Sequence, residues 1–245
     1  METITIKSRL LNWANEFSNS IYTRASEFFF PSVCHACEAR NKMYDHVLCM
    51  QCTYEVATTD HWKFVENDFT NKFLGRLPLA NGASLYKFVP GGIFQKLVHK
   101  LKYENKPEIG ENLGRVAGRK IKEHWSKPDL IVPVPMHEKK QWVRGYNQAE
   151  VIARGISSTL DIPINKLITK RHATQSQTTF HRHERLKNMQ EAFSLRQKYD
   201  LTGRHILLVD DVLTTGATLE ACAILLLDIP NIKISMFTLG IGLSF

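Results

Sequence analysis

The sequence lacks the features that mark membrane and secreted proteins. No apolar run reaches the about 20 residues that a helix needs to cross a bilayer. The first residues, Met1 to Lys7, do not have the charged-then-apolar layout of a signal peptide. We therefore expect a cytoplasmic protein without membrane insertion.

Acidic residues are also scarce relative to basic ones. The chain has 24 Asp and Glu against 32 Lys and Arg, which gives a formal net charge of +8. This balance favours anionic partners such as phosphates, pyrophosphate or nucleic acid, although a merely soluble basic protein has the same balance. The 245 residues, 43% of them hydrophobic, allow one large α/β domain with an appendage or two small domains.

Cysteine is sparse and unevenly placed, because four of the five cysteines form two close pairs. The four are Cys34, Cys37, Cys49 and Cys52. Two Cys-x-x-Cys pairs are the ligand set of a structural zinc ribbon, in which four thiolates complete a tetrahedron and leave no open position. Disulfides or free buried thiols are the alternatives, and a reducing compartment disfavours the former. His35 and His46 are spare ligand candidates that are more typical of surface residues.

The residues 206–222 organise the rest of the chain. A continuous apolar run, Ile206 to Val209, predicts a strand buried on both faces. Two carboxylates follow, Asp210 and Asp211, then a hydroxyl-rich turn at 214–218 and a helical pattern from Leu219 to Leu227. The carboxyl end of a strand is where open α/β sheets bind ligands.

These residue types suit a phosphorylated sugar. Backbone N–H groups at a helix start bind anions, and Gly216 permits a close approach. The hydroxyls of Thr214, Thr215 and Thr218 add donors. Paired carboxylates would repel a phosphate that they contacted directly. Their presence is explained if they accept hydrogen bonds from sugar hydroxyls or hold a divalent cation. An ordinary strand–turn–helix with threonine caps is the alternative.

The run from Ile206 to Thr218 resembles the signature of type I phosphoribosyltransferases, which bind phosphoribosyl pyrophosphate (PRPP). The resemblance implies an α/β fold with a doubly wound, mainly parallel sheet. It also implies that Asp210 and Asp211 bind the ribose hydroxyls, with magnesium bridging ribose and pyrophosphate. The 5-phosphate would be bound by Thr214, Thr215, Gly216, Ala217 and Thr218. Such a glycosyltransferase transfers the phosphoribosyl group and releases pyrophosphate, but the sequence identifies no general base.

The apolar, proline-bounded run at 130–135 is expected to be the first sheet strand of the main domain. A basic segment follows it. The loop 136–147 resembles the pyrophosphate loop of the same enzymes, with His137, Lys139, Arg144 and Gly145 as its candidates. A guanidinium binds phosphate oxygens bidentately, which favours Arg144. Lys139 and Lys140 are equally consistent with a solvated pair. A helix is predicted from Asn147 to Leu160.

A long polar segment follows a predicted strand from Ile164 to Lys170. Long loops in compact domains tend to be functional lids or disordered segments, and the resemblance implies a lid that closes over PRPP. Its candidate residues are Arg171, Gln175, Ser176, Gln177 and Arg185. The chain ends soon after the predicted strand from Ile234 to Leu239, so we expect the acceptor pocket to come from the first 125 residues.

Four units are predicted along the chain: an N-terminal helix at 1–29, the four-cysteine ribbon at 30–56, a linker at 57–82 and the main domain at 83–245. Helical spacing over 3–28 favours packing on the core or a partner, with a membrane-surface helix as the alternative. The main domain begins with a strand from Ala83 to Val89, followed by helices from Ile93 to Leu101 and from Glu108 to Trp125. The first helix has a basic face that is solvated or lines an anionic acceptor groove: Lys96, His99, Lys100 and Lys102.

Four motifs occur in one order: the cysteine pairs, Arg-Gly-Tyr-Asn-Gln at 144–148, the segment 175–188 and the Asp-Asp turn. Together they resemble the ComF (GntX) family of bacterial phosphoribosyltransferase-like proteins tied to DNA uptake in natural transformation. The alternative function is a non-enzymatic, single-stranded-DNA-binding accessory protein with a regulatory PRPP site. Its footprint would be the basic residues of 93–106 and 171–187, with Trp142 and Tyr146 stacking on bases.

Overall fold

The computed structural model describes residues 33–40, 47–170, 192–196 and 200–242. The predicted helix over 3–28, His46 and the whole predicted lid lie outside these described residues.

Four parallel strands form the central sheet, in the order β1-β6-β5-β2. They are β1 (Asn81–Phe88), β2 (Leu130–Pro133), β5 (His205–Leu213) and β6 (Lys233–Gly242). This sheet confirms the predicted α/β class. The expectation that 130–135 forms the first sheet strand is wrong, because β1 precedes it and pairs in parallel with β6.

A separate antiparallel pair joins β3 (Ile168–Lys170) to β4 (Phe193–Leu195). The predicted strand from Ile164 is shorter than expected, since Ile164 makes only an isolated bridge to Ile131. The pair therefore places Lys170, its last residue before the undescribed segment, near the sheet edge formed by β2.

Seven α-helices are described, besides a short 3-10 helix (His61–Lys63): α1 (Met50–Glu55), α2 (Asp68–Asn71), α3 (Ile93–Tyr103), α4 (Pro107–His124), α5 (Glu138–Arg144), α6 (Gln148–Leu160) and α7 (Ala217–Leu227). The predicted bounds of α3, α4, α6 and α7 are correct to within two residues. The segment 136–147 is not only a loop, because α5 occupies most of it. None of the described helices is long and apolar enough to span a bilayer.

The strand β5 extends further than the apolar run predicts. Its parallel register with β6 continues past Val209, pairing Asp210 with Thr238 and Leu213 with Ile241. The two carboxylates therefore belong to the last part of a strand rather than to a turn, and backbone pairing fixes their position.

The linker 57–82 packs on its neighbours, as expected. Phe69 and Phe73 are fully buried, and Trp62 stacks on Trp125 and Phe237 at ring-centroid distances of 5.5 and 5.8 Å. These contacts join the linker to α4 and β6. The four predicted unit boundaries stay predictions.

A glycine ridge lets α4 and α6 approach to backbone contact. Gly110, Gly114 and Gly118 recur every fourth residue on α4, so they lie on one face of that helix. A Cβ on Gly114 would lie 2.3 Å from the carbonyl oxygen of Ile152, and one on Gly155 would lie 2.0 Å from that of Glu111. Neither backbone oxygen can move without separating the helices.

Gly155→Ala tests this close packing. Alanine favours a helix over glycine by about 1 kcal/mol, yet here we expect a net loss of about 1–3 kcal/mol in the free energy of unfolding because the helices must separate. Gly110→Ala is the matched control, since the nearest atoms to its Cβ would be side-chain atoms of Leu101, Val151 and Ile152, at 3.1, 3.2 and 3.5 Å, rather than backbone. Urea denaturation measures both variants, and an equal effect of the two would contradict the packing argument.

Candidate functional site

A cavity of about 160 Å³ lies where β2 and β5 end. It brings together residues from both ends of the main domain: Asp210 and Asp211 from β5, Thr218 from α7, His137 and Arg144 from the predicted pyrophosphate loop, and Lys102 from α3. The carboxyl ends of parallel strands meet at one edge of the sheet, which is the usual place for a ligand in this fold class.

The two acids of this cavity differ in their surroundings. The backbone N–H of Asp211 donates to Oδ1 of Asp210 at 2.8 Å. Burial, with the neighbouring Asp211 charge as the second cause, raises the pKa of Asp210 to about 7. Asp211 instead pairs with Lys102, whose Nζ lies 2.8 Å from Oδ2 of the carboxylate.

Positive charge exceeds negative charge around these acids. Four cationic side chains line the same cavity: Lys102, Lys140, Arg144 and Lys170. Burial and then the nearby Lys140 lower the pKa of Lys170. Crowding of cations against only two carboxylates is the electrostatic arrangement of a site for a polyanion.

Helix α5 positions Arg144. The helix ends at Gly145, whose φ of 81° is the left-handed conformation that suits glycine. The Arg144 guanidinium then lies 5.6 Å from the centroid of the Tyr103 ring, and Nη1 donates to Oε1 of Gln148 at 3.2 Å. These contacts direct the guanidinium to the cavity.

Two caps fix the segment between β2 and α6. His137 Nδ1 accepts from the backbone N–H of Lys139 at 3.2 Å and caps α5. Asn147 caps α6 by accepting from the N–H of Ala149 at 3.1 Å, and its Nδ2 donates to the carbonyl of Val134 at 2.9 Å. The start of α6 is thereby tied to the end of β2.

The hydroxyl-rich turn is only partly inside the cavity. Thr218 lines it, whereas Thr214 and Thr215 are exposed at the turn. The hydroxyl of Thr215 accepts from the N–H of Ala217 at 3.4 Å. Gly216 has a φ of 82°, and a Cβ there would lie 2.8 Å from the Phe73 ring, so turn geometry and packing both require glycine.

Two residues of the predicted pyrophosphate loop lie beside the cavity rather than in it. Lys139 lines a neighbouring groove of about 550 Å³ together with Lys102 and Tyr103. Gly145 lines a larger one of about 660 Å³ that also includes Trp142.

Sequence reasoning missed the importance of Lys102 and Lys170. Lys102 was predicted only as part of a basic helix face, and its partner Asp211 lies far away along the chain. Other residues of that face also have partners: Lys100 pairs with Glu38 at 2.7 Å, and Nδ1 of His99 lies 3.3 Å from Oε1 of Glu104. No local pattern indicates the pairing of Lys100 with Glu38 or of Lys102 with Asp211, which are far apart in the sequence.

The two aromatic candidates for base stacking differ. Tyr146 is not available, because it packs against the core and its hydroxyl donates to the carbonyl of Leu101. Trp142 is 88% exposed. Of the two, only Trp142 presents a ring face to a ligand.

The four N-terminal cysteines form a compact cluster, with all four Sγ atoms within 4.8 Å of one another. The Sγ atoms of Cys37 and Cys49 are 3.8 Å apart, and a tetrahedral zinc centre with Zn–S bonds of about 2.3 Å has an S–S edge of about 3.8 Å. The structure places none of the five cysteines in a disulfide, which leaves zinc ligands or free thiols for the cluster. The cluster has the geometry of a zinc ribbon.

The surroundings of the cluster favour the thiolate at Cys34, whereas burial raises the pKa of Cys52 and the pKa of Cys37 is raised as well. The backbone N–H of Cys49 donates to Sγ of Cys34 at 3.4 Å. Burial by itself would raise the pKa of Cys34, but backbone N–H groups lower it to about 6. Metal ligands of this kind must be deprotonated, and the fold supplies donors for that state.

Asp210→Asn tests the raised pKa of the buried carboxyl. Between pH 4 and 7 the folded protein keeps the proton on the Asp210 carboxyl, whereas the unfolded chain releases it. The contribution of this carboxyl to the free energy of unfolding therefore falls as the pH rises through that window. In metal-free buffer, the thermal midpoint of the variant should rise relative to that of the wild type as the pH increases from 4 to 7. At pH 8 the variant's midpoint should be higher by several degrees.

Asp228→Asn is the matched control, because Asp228 is exposed at the end of α7. The difference in thermal midpoint between this variant and the wild type should stay constant between pH 5 and 8. A midpoint difference for Asp210→Asn that does not change with pH would contradict the assignment.

Comparisons with known proteins agree with this geometry. A model of the phosphoribosyl transferase domain matches residues 99–231. Competence protein F of Haemophilus influenzae is 36% identical over 137 residues, which are 53% of this chain and 60% of that protein. The DNA utilization protein YhgH of Escherichia coli K12 is 34% identical over 54% of this chain and 60% of its own length.

A longer match covers almost the whole chain. Competence protein ComFC of Bacillus subtilis is 24% identical over 92% of this chain and 91% of its own length. Among solved structures, a purine phosphoribosyltransferase from Pyrococcus horikoshii aligns with a TM-score of 0.33 and 20% identity, over 53% of this chain and 80% of that one. With the parallel sheet and the cysteine cluster in place, this chain belongs to the phosphoribosyltransferase domain family and, within it, to the ComF group.

Proposed function

We propose that this protein binds PRPP in the cavity at the ends of β2 and β5. The observation that carries the proposal is the meeting of Asp210, Asp211 and Thr218 with four cationic side chains in one cavity. Asp210 and Asp211 bind the ribose hydroxyls, and the turn 214–218 binds the 5-phosphate. Arg144 and His137 bind the pyrophosphate, with Lys139 and Gly145 at its edge.

The residues present fit a magnesium ion. Carboxylate oxygens are ligands that magnesium accepts together with substrate phosphates, and Asp210 and Asp211 offer theirs side by side. Bound there, magnesium would neutralise pyrophosphate charge. Because Asp210 has a pKa near neutrality, binding of a cation next to it should release a proton.

The reaction that suits this site is transfer of the phosphoribosyl group with release of pyrophosphate. Its transition state has sugar-cation character, so catalysis depends on positioning and on stabilising the leaving group. Arg144 and Lys170 supply positive charge at the leaving group. The predicted lid, with Arg171, Gln175, Ser176, Gln177 and Arg185, would exclude water from the sugar cation.

A role in DNA uptake or use is the biological context that we propose, together with a cytoplasmic location. It is supported by the names of the relatives, Competence protein F and DNA utilization protein. Direct single-stranded-DNA binding has weaker support than PRPP binding. Lys100 and Lys102 are engaged in ion pairs, and Trp142 is the remaining stacking candidate.

The cysteine cluster is proposed to hold a structural zinc ion. Four thiolates complete the coordination shell and leave no site for substrate. Val47 and Leu48 of the ribbon belong to the same hydrophobic core as Leu97 of α3, and Glu38 pairs with Lys100 at the surface. The ribbon therefore stabilises the N-terminal part and takes no part in chemistry.

Zinc content tests this assignment. Elemental analysis of the purified protein should give one zinc per chain, and Cys52→Ser should lose most of it because three thiolates bind zinc far more weakly. Cys222→Ser is the matched control, since Cys222 is buried in α7 outside the cluster, and it should keep its zinc. A wild-type protein without zinc, or equal loss in both variants, would contradict the proposal.

Calorimetric titration with PRPP and magnesium tests the proposed function. Replacing both acids, Asp210→Asn with Asp211→Asn, removes charge-assisted hydrogen bonds and should weaken binding by at least about 100-fold. Asp228→Asn should bind as the wild type does. Unchanged affinity of the double variant would show that PRPP binds elsewhere, and an absence of binding to the wild type would refute the function.

A further inference from the structure

A buried ion pair lies next to the hydroxyl-rich turn. Glu220, in the first turn of α7, pairs through Oε2 with Nη1 of Arg76, which belongs to the linker 57–82. The Glu220 side chain is only 5% exposed and that of Arg76 24% exposed. A carboxylate with so little water around it depends on its partner, because an unpaired buried charge is strongly unfavourable.

The linker holds this arginine against the turn. Phe73 is fully buried, and an atom of its ring would lie 2.8 Å from a Cβ on Gly216. The backbone N–H of Arg76 donates to the carbonyl of Phe73 at 2.9 Å, and the Arg76 guanidinium lies 5.5 Å from the centroid of the Phe73 ring. Gly75, with a φ of 72°, allows the chain to turn between the two. Phe73 and Arg76 therefore pack as one unit against the start of α7.

Glu220 is close to the proposed 5-phosphate site without being part of it. Thr218 lines the cavity, whereas Glu220 and Arg76 do not. Two residues separate Glu220 from Thr218, which places them about 200° apart around the helix. The backbone N–H of Glu220 donates to the carbonyl of Gly216 at 2.9 Å. Glu220 thus lies one helical turn from the N–H groups that are proposed to bind the phosphate.

The charge of Glu220 is unfavourable for an anion at this place. An acid in the first turn stabilises the helix itself, because it lies at the positive end of the helix dipole. The same charge repels a phosphate that binds at that end, and burial reduces the screening by water and salt. Arg76 supplies the opposite charge, so the pair as a whole is neutral.

We propose that Arg76 is a positioning residue for the 5-phosphate site, because it cancels the charge of Glu220 and so keeps the start of α7 able to bind a phosphate. This inference rests on the proposed function. It gives the linker a part in ligand binding, although its arginine acts through Glu220 and does not contact the ligand.

Calorimetric titration of PRPP with magnesium into the full chain, at pH 8, tests the inference. Arg76→Met keeps an unbranched side chain next to Phe73 but leaves the Glu220 carboxylate unpaired, so the Kd should rise by about 10-fold. Glu220→Gln removes the charge and keeps the shape, so this variant should bind PRPP at least as tightly as the wild type. Combining the two substitutions should return the Kd to within about two-fold of the wild-type value.

Arg115→Met is the matched control variant. It breaks another arginine–glutamate pair, with Glu111 on α4, and neither residue lines the cavity, so its affinity for PRPP should equal that of the wild type. Arg76→Lys retains the charge and should also bind PRPP as the wild type does. Pyrophosphate is the control ligand: it lacks the 5-phosphate, so Arg76→Met should bind it with wild-type affinity.

The direction of the Glu220→Gln effect separates charge from structure. If Arg76 only stabilises the fold around the turn, the loss of either partner breaks the same pair, and Glu220→Gln weakens PRPP binding as Arg76→Met does. That result refutes the inference, and Glu220→Gln provides it even if Arg76→Met does not fold.

The remaining outcomes separate the inference from the function on which it rests. If the wild type binds PRPP and Arg76→Met binds it equally well, or if the double variant is as weak as Arg76→Met, the inference is refuted alone. If the wild-type protein does not bind PRPP, the proposed function and the inference fail together.

Discussion

The parallel pairing of β5 with β6 is the constraint on which the site depends. The apolar part of β5 would by itself form a stable core strand. The parallel pairing with β6 nevertheless continues beyond it, through Asp210 to Leu213. Ladder hydrogen bonds thus hold two carboxylates in adjacent positions at the end of the strand, despite the cost of bringing like charges together. Burial, and after it this repulsion, raises the pKa of Asp210, and Lys102 compensates the charge at Asp211.

The cations that compensate these acids come from elements with no sequence proximity to them. Helix α3 brings Lys102, α5 brings Arg144 and β3 brings Lys170. The backbone next to Lys102 is held by the hydrogen bond from Tyr146 to the carbonyl of Leu101, and the start of α6, after Arg144, is held by Asn147. The glycine contact between α4 and α6 keeps the α6 end of this arrangement close to the sheet. Structure and charge are therefore coupled, since loosening the helix layer would separate the cations from the acids.

The sequence predicts the local elements well and the long-range pairs poorly. The apolar run before Asp210 and the turn after it have specific local patterns, as do the two Cys-x-x-Cys pairs. In contrast, the pairing of Lys102 with Asp211 and the burial of Tyr146 depend on which helix faces which strand, and periodicity does not encode this. The extension of β5 was missed for a related reason, because two aspartates read as a turn unless the partner strand is known. The helical spacing of Gly110, Gly114 and Gly118 is visible in the sequence. Its role in close helix packing can be recognised only when the structure shows Gly155 on the facing helix.

The central claim is that the paired acids and the hydroxyl-rich turn form one pocket for a phosphorylated pentose. A crystal structure of the protein with PRPP and magnesium tests it most directly. The account predicts the ribose hydroxyls within hydrogen-bond distance of Asp210 and Asp211, and the 5-phosphate at 214–218. A ribose bound away from both carboxylates, in the groove beside Trp142 or elsewhere, would contradict it.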